Sequence, residues 1–211
     1  MKTKINEFIK LLDNEEKDKA IMYILNLLDA GSDILDIYEY FVIPALADYN
    51  CDNNQEEICI WKEHTRTSIV RTILENTYPY LIKAKGDKTI NKSVIVACPQ
   101  EEYHEIGAII ATNYFYLEGF KAKYIGANTP SEEIISAVKI LKPDYLALSI
   151  TNYYNLIQTK KLIKALKASY PNLKIILGGQ AIKKYANKSK IQYDLIMNSY
   201  EDIKKLSGDL S

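Results

Sequence analysis

Histidine is nearly missing from this chain: His64 and His104 are the only two among 211 residues. That scarcity excludes a zinc centre, which needs three or four clustered nitrogen and sulfur ligands. Cysteine is scarce as well. Cys51, Cys59 and Cys98 form an odd set without CxxC spacing, which argues against a disulfide framework and for small hydrophobic residues. No apolar run approaches the roughly 18 residues of a membrane span. The amphipathic N-terminus turns acidic where a signal peptide would be cleaved, so a cytoplasmic protein is expected. GxGxxG and P-loop motifs are absent, and with them the usual dinucleotide and nucleotide sites. A hydrolase drawn from Ser149, His104 and Glu102 lacks its GxSxG elbow. Net charge is also absent, but only in sum. Residues 1–90 hold 11 Lys/Arg against 16 Asp/Glu, a net of −5, and residues 91–211 hold 16 against 11. An acidic first half grips phosphate backbones poorly, so no direct nucleic-acid binding is expected. The lysines of "QTKKLIKALKASYPNLK" fall at the spacing of the wet face of an amphipathic helix.

What is present follows two grammars. Residues 1–86 carry apolar residues at three- and four-residue spacing in "INEFIKLL", "AIMYILNLLDAG", "DILDIYEYFVIPALADY" and "EEICIWKEHTRTSIVRTILENTYPYLI", which predicts a bundle of four or five helices. Asp13 or Asn14 is expected to cap the second helix and Ser32 or Asp33 the third, with Gly31 closing the second. After the polar stretch "KAKGDKTINK" the pattern changes. "SVIVAC", "KAKYIG", "DYLALSI", "KIILGG" and "DLIMN" read as strands separated by helical segments. That alternation predicts an α/β domain over residues 90–211, a flavodoxin-like doubly wound parallel sheet of order 2-1-3-4-5.

In such a sheet ligands sit beyond the carboxyl ends of the strands, where strand order reverses. Strand 1 runs into "CPQEEYHEIG", strand 3 into "LSITNYYN" and strand 4 into "LGGQA". A phosphorylated receiver domain would need an aspartate where Ser149 stands and a lysine near strand 5, and has neither. There remains one imidazole, His104, two residues after Glu102. Imidazole is the commonest side-chain metal ligand and usually gives its other N–H to a carboxylate or carbonyl. A lone ligand suits a metal whose other positions a macrocycle fills. Alternatively, His104 is a first-turn residue and Gly107 a packing glycine.

"EEYHEIG", "LSIT" and "ILGGQAI" together resemble the three signature segments of cobalamin-binding domains, DxHxxG, SxL or SxT, and GG, over residues 90–207. The helical half resembles the cap module that precedes this domain in corrinoid methyl-carrier proteins and in cobalamin-dependent, often light-sensing, transcriptional regulators. The resemblance implies cobalamin as cofactor, in its adenosyl or methyl form. His104 would ligate cobalt from below in place of the cofactor's own base, and Glu102, at the usual aspartate position, would hold the imidazole. Gly107, Ser149, Thr151, Gly178 and Gly179 would receive the displaced nucleotide tail. Glu63 and His64 match a Glu-His pair that lies over the cofactor's upper face in the regulators. Their usual tryptophan, eleven residues earlier, is here Asn53; Trp61 is read as a core residue, with a substitute lid as the alternative.

Two functions follow from that resemblance. One is a stand-alone sensor or regulatory module that relays a change in the cofactor's upper ligand to a protein partner or to its own self-association. The other is a corrinoid carrier of a methyl group between methyltransferases. "QEEYHEIGAII", "YIGANTPSEEI" and Glu63-His64 favour the sensor; the size of the chain and the lack of a helix-turn-helix segment before residue 1 favour the carrier. Neither makes the chain a complete enzyme by itself.

Overall fold

A computed structural model describes residues 2–47 and 56–210, and the chain divides into two compact units, Met1–Gly86 and Asp87–Ser211. Cys51 and Asn53 lie outside the described residues, as does the side chain of Cys59.

The first unit is helical: α1 (Lys2–Asp13), α2 (Lys17–Asp29), α3 (Ile34–Ile37), a π-helical turn (Tyr38–Val42), α4 (Ile43–Ala47) and the long α5 (Glu56–Lys85). The apolar stripes of these helices meet in a core that includes Phe8, Ile24, Ile37, Phe41, Ile69 and Ile73, with the Phe8 ring stacked on Tyr23 and set edge-on to Phe41. Asp33 caps α3, its side chain accepting from the Leu35 amide at 2.7 Å. Gly31 takes φ +92° just after α2, as a helix-ending glycine does. The expected cap of α2 is not found. Asp13 is the last residue of α1, the chain turns through Glu15 at φ +57°, and Glu16 stands at the N-cap without a side-chain bond. Asp13 is occupied elsewhere, accepting at 2.6 Å from the buried Arg66, whose Nε donates to the Ala45 carbonyl.

The second unit alternates β1 (Ser93–Ala97), α6 (Ile106–Leu117), β2 (Lys121–Tyr124), α7 (Ser131–Leu141), β3 (Tyr145–Ser149), α8 (Leu156–Ser169), β4 (Lys174–Gly178), α9 (Gln180–Ser189), β5 (Leu195–Ile196) and α10 (Tyr200–Gly208). All strands pair in parallel, in the expected order β2-β1-β3-β4-β5. The central strands are buried along their length, as a sheet covered on both faces requires. One face packs against α7, α8 and α9 through Ile134, Val138, Leu162, Leu166 and Ile182. On the other face α6 and α10 lie together, joined by the edge-on Tyr114 and Tyr200 rings. Strand β5 is shorter than the "DLIMN" pattern predicts. Asp194 lies just before it, its amide donating to the Ile175 carbonyl while its carboxylate accepts from Lys167, Lys174 and the Ile175 amide.

Candidate functional site

Strand β1 ends at Ala97, and the chain then folds back in a tight turn, the Glu102 amide donating to the Pro99 carbonyl at 2.9 Å. The neighbouring β2–α7 loop braces this turn. Asn128 Oδ1 accepts from the Glu101 amide at 2.7 Å, and the Asn128 amide donates to the Glu102 carbonyl at 2.9 Å. Cys98 is buried beneath the loop with its Sγ 3.7 Å from the His104 carbonyl. That burial fits the reading of Cys98 as a small core residue and pushes its thiol up to about 12.

The turn places Glu102 fully inside the protein and leaves the His104 side chain 56% exposed. Both oxygens of Glu102 are saturated. Oε1 accepts from the His104 amide at 3.2 Å and lies 2.5 Å from His104 Nδ1. Oε2 accepts from the Thr151 and Asn152 amides, both at 2.8 Å, and from Asn155 Nδ2 at 3.1 Å. Burial works to raise this carboxyl, but the bonds from the His104 ring and from the Asn152, Thr151 and His104 amides outweigh it and hold the group at about 2. An ionised carboxylate only accepts, so Nδ1 carries the proton of this bond and Nε2 is the ring nitrogen that Glu102 does not use.

Ser149 ends β3, is buried, and its hydroxyl takes no hydrogen bond among the described residues. It lies beside Gly107: a Cβ built there would stand 3.9 Å from Ser149 Oγ, an ordinary contact. The protein's own packing therefore has room for alanine at residue 107, and the bare glycine leaves a gap next to an unengaged hydroxyl. Gly178 and Gly179 differ. A Cβ on Gly178 would come within 2.9 Å of the Met197 carbonyl, and Gly179 has φ +95° with the Ile150 backbone against its open side. Backbone packing alone demands both glycines.

The fold thus brings Glu102, His104, Gly107, Ser149, Thr151, Gly178 and Gly179 to one end of the sheet. Trp61, Glu63 and His64 belong to α5 in the first unit. All three are exposed, Trp61 at 48%, so the core reading of Trp61 is overturned. Its ring carries Lys62 Nζ at 5.8 Å, and His64 lines a shallow cleft with Glu15, Lys17, Thr65, Ser68 and Ile69. Among the described residues no three metal-ligating side chains cluster. Asn155 was not foreseen. It lies in "TNYYN", where an asparagine reads as an ordinary turn residue, and only the fold shows its amide on Glu102.

Comparison with known proteins bears on the family and the fold. The B12 binding domain profile matches residues 92–203. The HTH-type transcriptional repressor CarA of Myxococcus xanthus is 24% identical over 129 residues, 60% of this chain and 42% of the repressor, so the chain spans less than half of that relative. The monomethylamine corrinoid protein of Methanosarcina barkeri superposes with a TM-score of 0.83 at 16% identity, covering 100% of this chain and 99% of that one. A cobalamin-binding protein of Desulfitobacterium hafniense DCB-2 gives 0.52 at 18% identity, with 98% of each chain covered. The methanol:cobalamin methyltransferase complex MtaBC of Methanosarcina barkeri gives 0.52 at 17%, covering 98% of this chain and 79% of that one.

Proposed function

Because the chain belongs to the B12 binding domain family, we propose that it holds cobalamin with His104 as the lower ligand of cobalt and acts as a stand-alone sensor or regulatory module. The observation that carries the ligand assignment is the buried Glu102 carboxylate bound to His104 Nδ1, with the ring exposed. Glu102 fixes the tautomer and the direction of the ring; the Thr151 and Asn152 amides and Asn155 fix Glu102. The unengaged Ser149 hydroxyl and the gap at Gly107 fit an inserted heterocyclic tail, which the hydroxyl would bond. Thr151 lends its amide to Glu102, while Gly179 lets the backbone of the third loop lie against Ile150 just after β3 and Gly178 lets it lie against the Met197 carbonyl just after β5.

Bound cobalamin would supply a cobalt–carbon bond whose upper ligand changes with light or chemistry. The first unit, as a helical cap, would shield that upper face and respond to its change, with Glu63, His64 and the exposed Trp61 as the contacting residues. The signal would pass to a protein partner or to homo-oligomerisation. Likeness to a repressor over 129 residues supports a regulatory role. A methyl carrier between methyltransferases is the second reading, favoured by superposition of the whole chain on a corrinoid protein.

The test is an absorbance titration with adenosyl-, methyl- and hydroxocobalamin in darkness and then under green light, with mass measured throughout. Tight binding with a His-on spectrum and an upper-ligand-dependent change in mass supports the sensor. Binding without any such change, together with methyl transfer to a purified corrinoid methyltransferase, supports the carrier. No uptake of any of the three removes both.

A further inference from the structure

Between Tyr145 and Tyr193 the chain contains nine lysines and not one aspartate or glutamate. Read along one helix this looks like a solvated face, but the fold places two such helices together. Helices α8 and α9 pack into the same core on one face of the sheet, and the Tyr153 ring before α8 meets the Tyr185 ring of α9 at 4.7 Å. Ile157, Lys160, Lys161 and Lys164 follow the i, i+3, i+4, i+7 spacing of a single helical stripe, and all four are exposed. On α9, Lys183 and Lys184 are exposed beside Tyr185. Among the described residues Lys161, Lys164, Lys183 and Lys184 form no ion pair, whereas Lys167 and Lys174 are drawn to Asp194.

The other amphipathic helices of this unit mix their signs: Glu132 and Glu133 with Lys139 on α7, Glu201 and Asp202 with Lys204 and Lys205 on α10. Only α8 and α9 carry a single sign, at the cost of lysine–lysine repulsion along α8. At the head of the stripe stand Tyr154, 80% exposed, Ile157, 69%, and Tyr153, 54%. An apolar, aromatic centre flanked by lysines is the anatomy of a docking surface rather than of a solvated helix.

We infer that the outer face of α8 and α9 is a docking surface for an acidic protein partner. Two features favour protein over other polyanions. The patch has no arginine, the residue preferred for bidentate phosphate contacts. The exposed aromatics are tyrosines, whose hydroxyls find partners at a protein interface, rather than the Trp, Phe and Leu of a membrane-inserting face. The surface shares none of the proposed cofactor residues, so the inference does not depend on the cobalamin reading.

The test is fluorescence anisotropy of the labelled full chain titrated with a glutamate–tyrosine copolymer, an oligothymidylate and phosphatidylserine-containing vesicles. The copolymer is expected to bind at least about tenfold more tightly than either other probe and to weaken with salt. Joint Lys160→Glu, Lys161→Glu and Lys164→Glu substitution should cut that affinity at least about tenfold, and Ile157→Ala should also lower it. A control with Lys139, Lys142 and Lys204 changed to Glu should leave it within about twofold, with matched melting curves confirming that all variants fold. Absence of copolymer binding, an equal loss in the control, or tighter binding of the oligonucleotide or the vesicles would each overturn the inference.

Discussion

Asn155 Nδ2 donates to Glu102 Oε2 at 3.1 Å and to the Glu101 carbonyl at 3.2 Å, clamping the loop after β3 to the loop that presents His104. Asn155 is buried at 3% exposure, so removing its amide deprives a buried carboxylate of one donor. Asn155→Ala is expected to lower stability to urea by about 1–3 kcal/mol. It should also weaken cobalamin uptake and reduce the His-on fraction of the spectrum. An unchanged spectrum with lowered stability would make Asn155 a structural clamp only.

His104→Ala should abolish the His-on spectrum and weaken cobalamin binding, since it removes the exposed ring that Glu102 holds through Nδ1. Ser149→Leu should block tail insertion while leaving the sheet folded, because the added side chain would fill the gap beside Gly107. Titration by absorbance reads both. Retention of the wild-type spectrum by the first variant, or full affinity in the second, would remove that residue from the site.

The two kinds of glycine at the site separate packing from ligand contact. Gly179→Ala forces a side chain onto the Ile150 backbone at φ +95° and is expected to destabilise by about 2 kcal/mol or more. Gly107→Ala meets only ordinary contact and should stay within about 0.5 kcal/mol of wild type. If the gap at residue 107 serves the cofactor, the same variant should nonetheless lose cobalamin affinity. Paired melting curves and titrations check this, and a Gly107→Ala protein with both stability and affinity intact returns residue 107 to a plain helix position.

These residues also mark the limits of what the sequence could disclose. Strands β1, β3 and β4 were legible because burial on both faces leaves near-continuous apolar runs such as "SVIVA" and "YLALS". With alternating helices these gave the order of the sheet, and the order put His104, Ser149 and Gly179 at one end. Polar partners left no such signal. Asn155, Asn128 and Glu118 act over separations of tens of residues, where periodicity says nothing. The cap of α2 was misplaced for a similar reason: Asp13 answers a buried arginine 53 residues away rather than the helix beside it. Trp61 was read as core because an aromatic at helical spacing usually is, yet that position of α5 turns outward.

Glu118, just after α6, gives the acid-side prediction. Its side chain is 2% exposed and accepts from Tyr200 at 2.5 Å, Ser207 at 2.6 Å and Lys88 at 2.8 Å, tying α10 and the approach to β1 onto α6. Burial opposes its ionisation, but Lys88, Ser207 and Tyr200 together lower it below the ordinary glutamate value of 4.5. The folded form thus holds the charged carboxylate more readily than the unfolded chain does. Its contribution is fully present above the unfolded value and is lost as pH falls through the folded one. Wild-type stability should therefore decline from about pH 4.5 downward, with part of that slope due to this group. Glu118→Gln, which keeps the shape but not the charge, should be less stable at pH 7 by about 1–3 kcal/mol and show a shallower decline in acid. Urea unfolding at a series of pH values measures both, and parallel curves for the two proteins would assign the acid slope to other carboxylates.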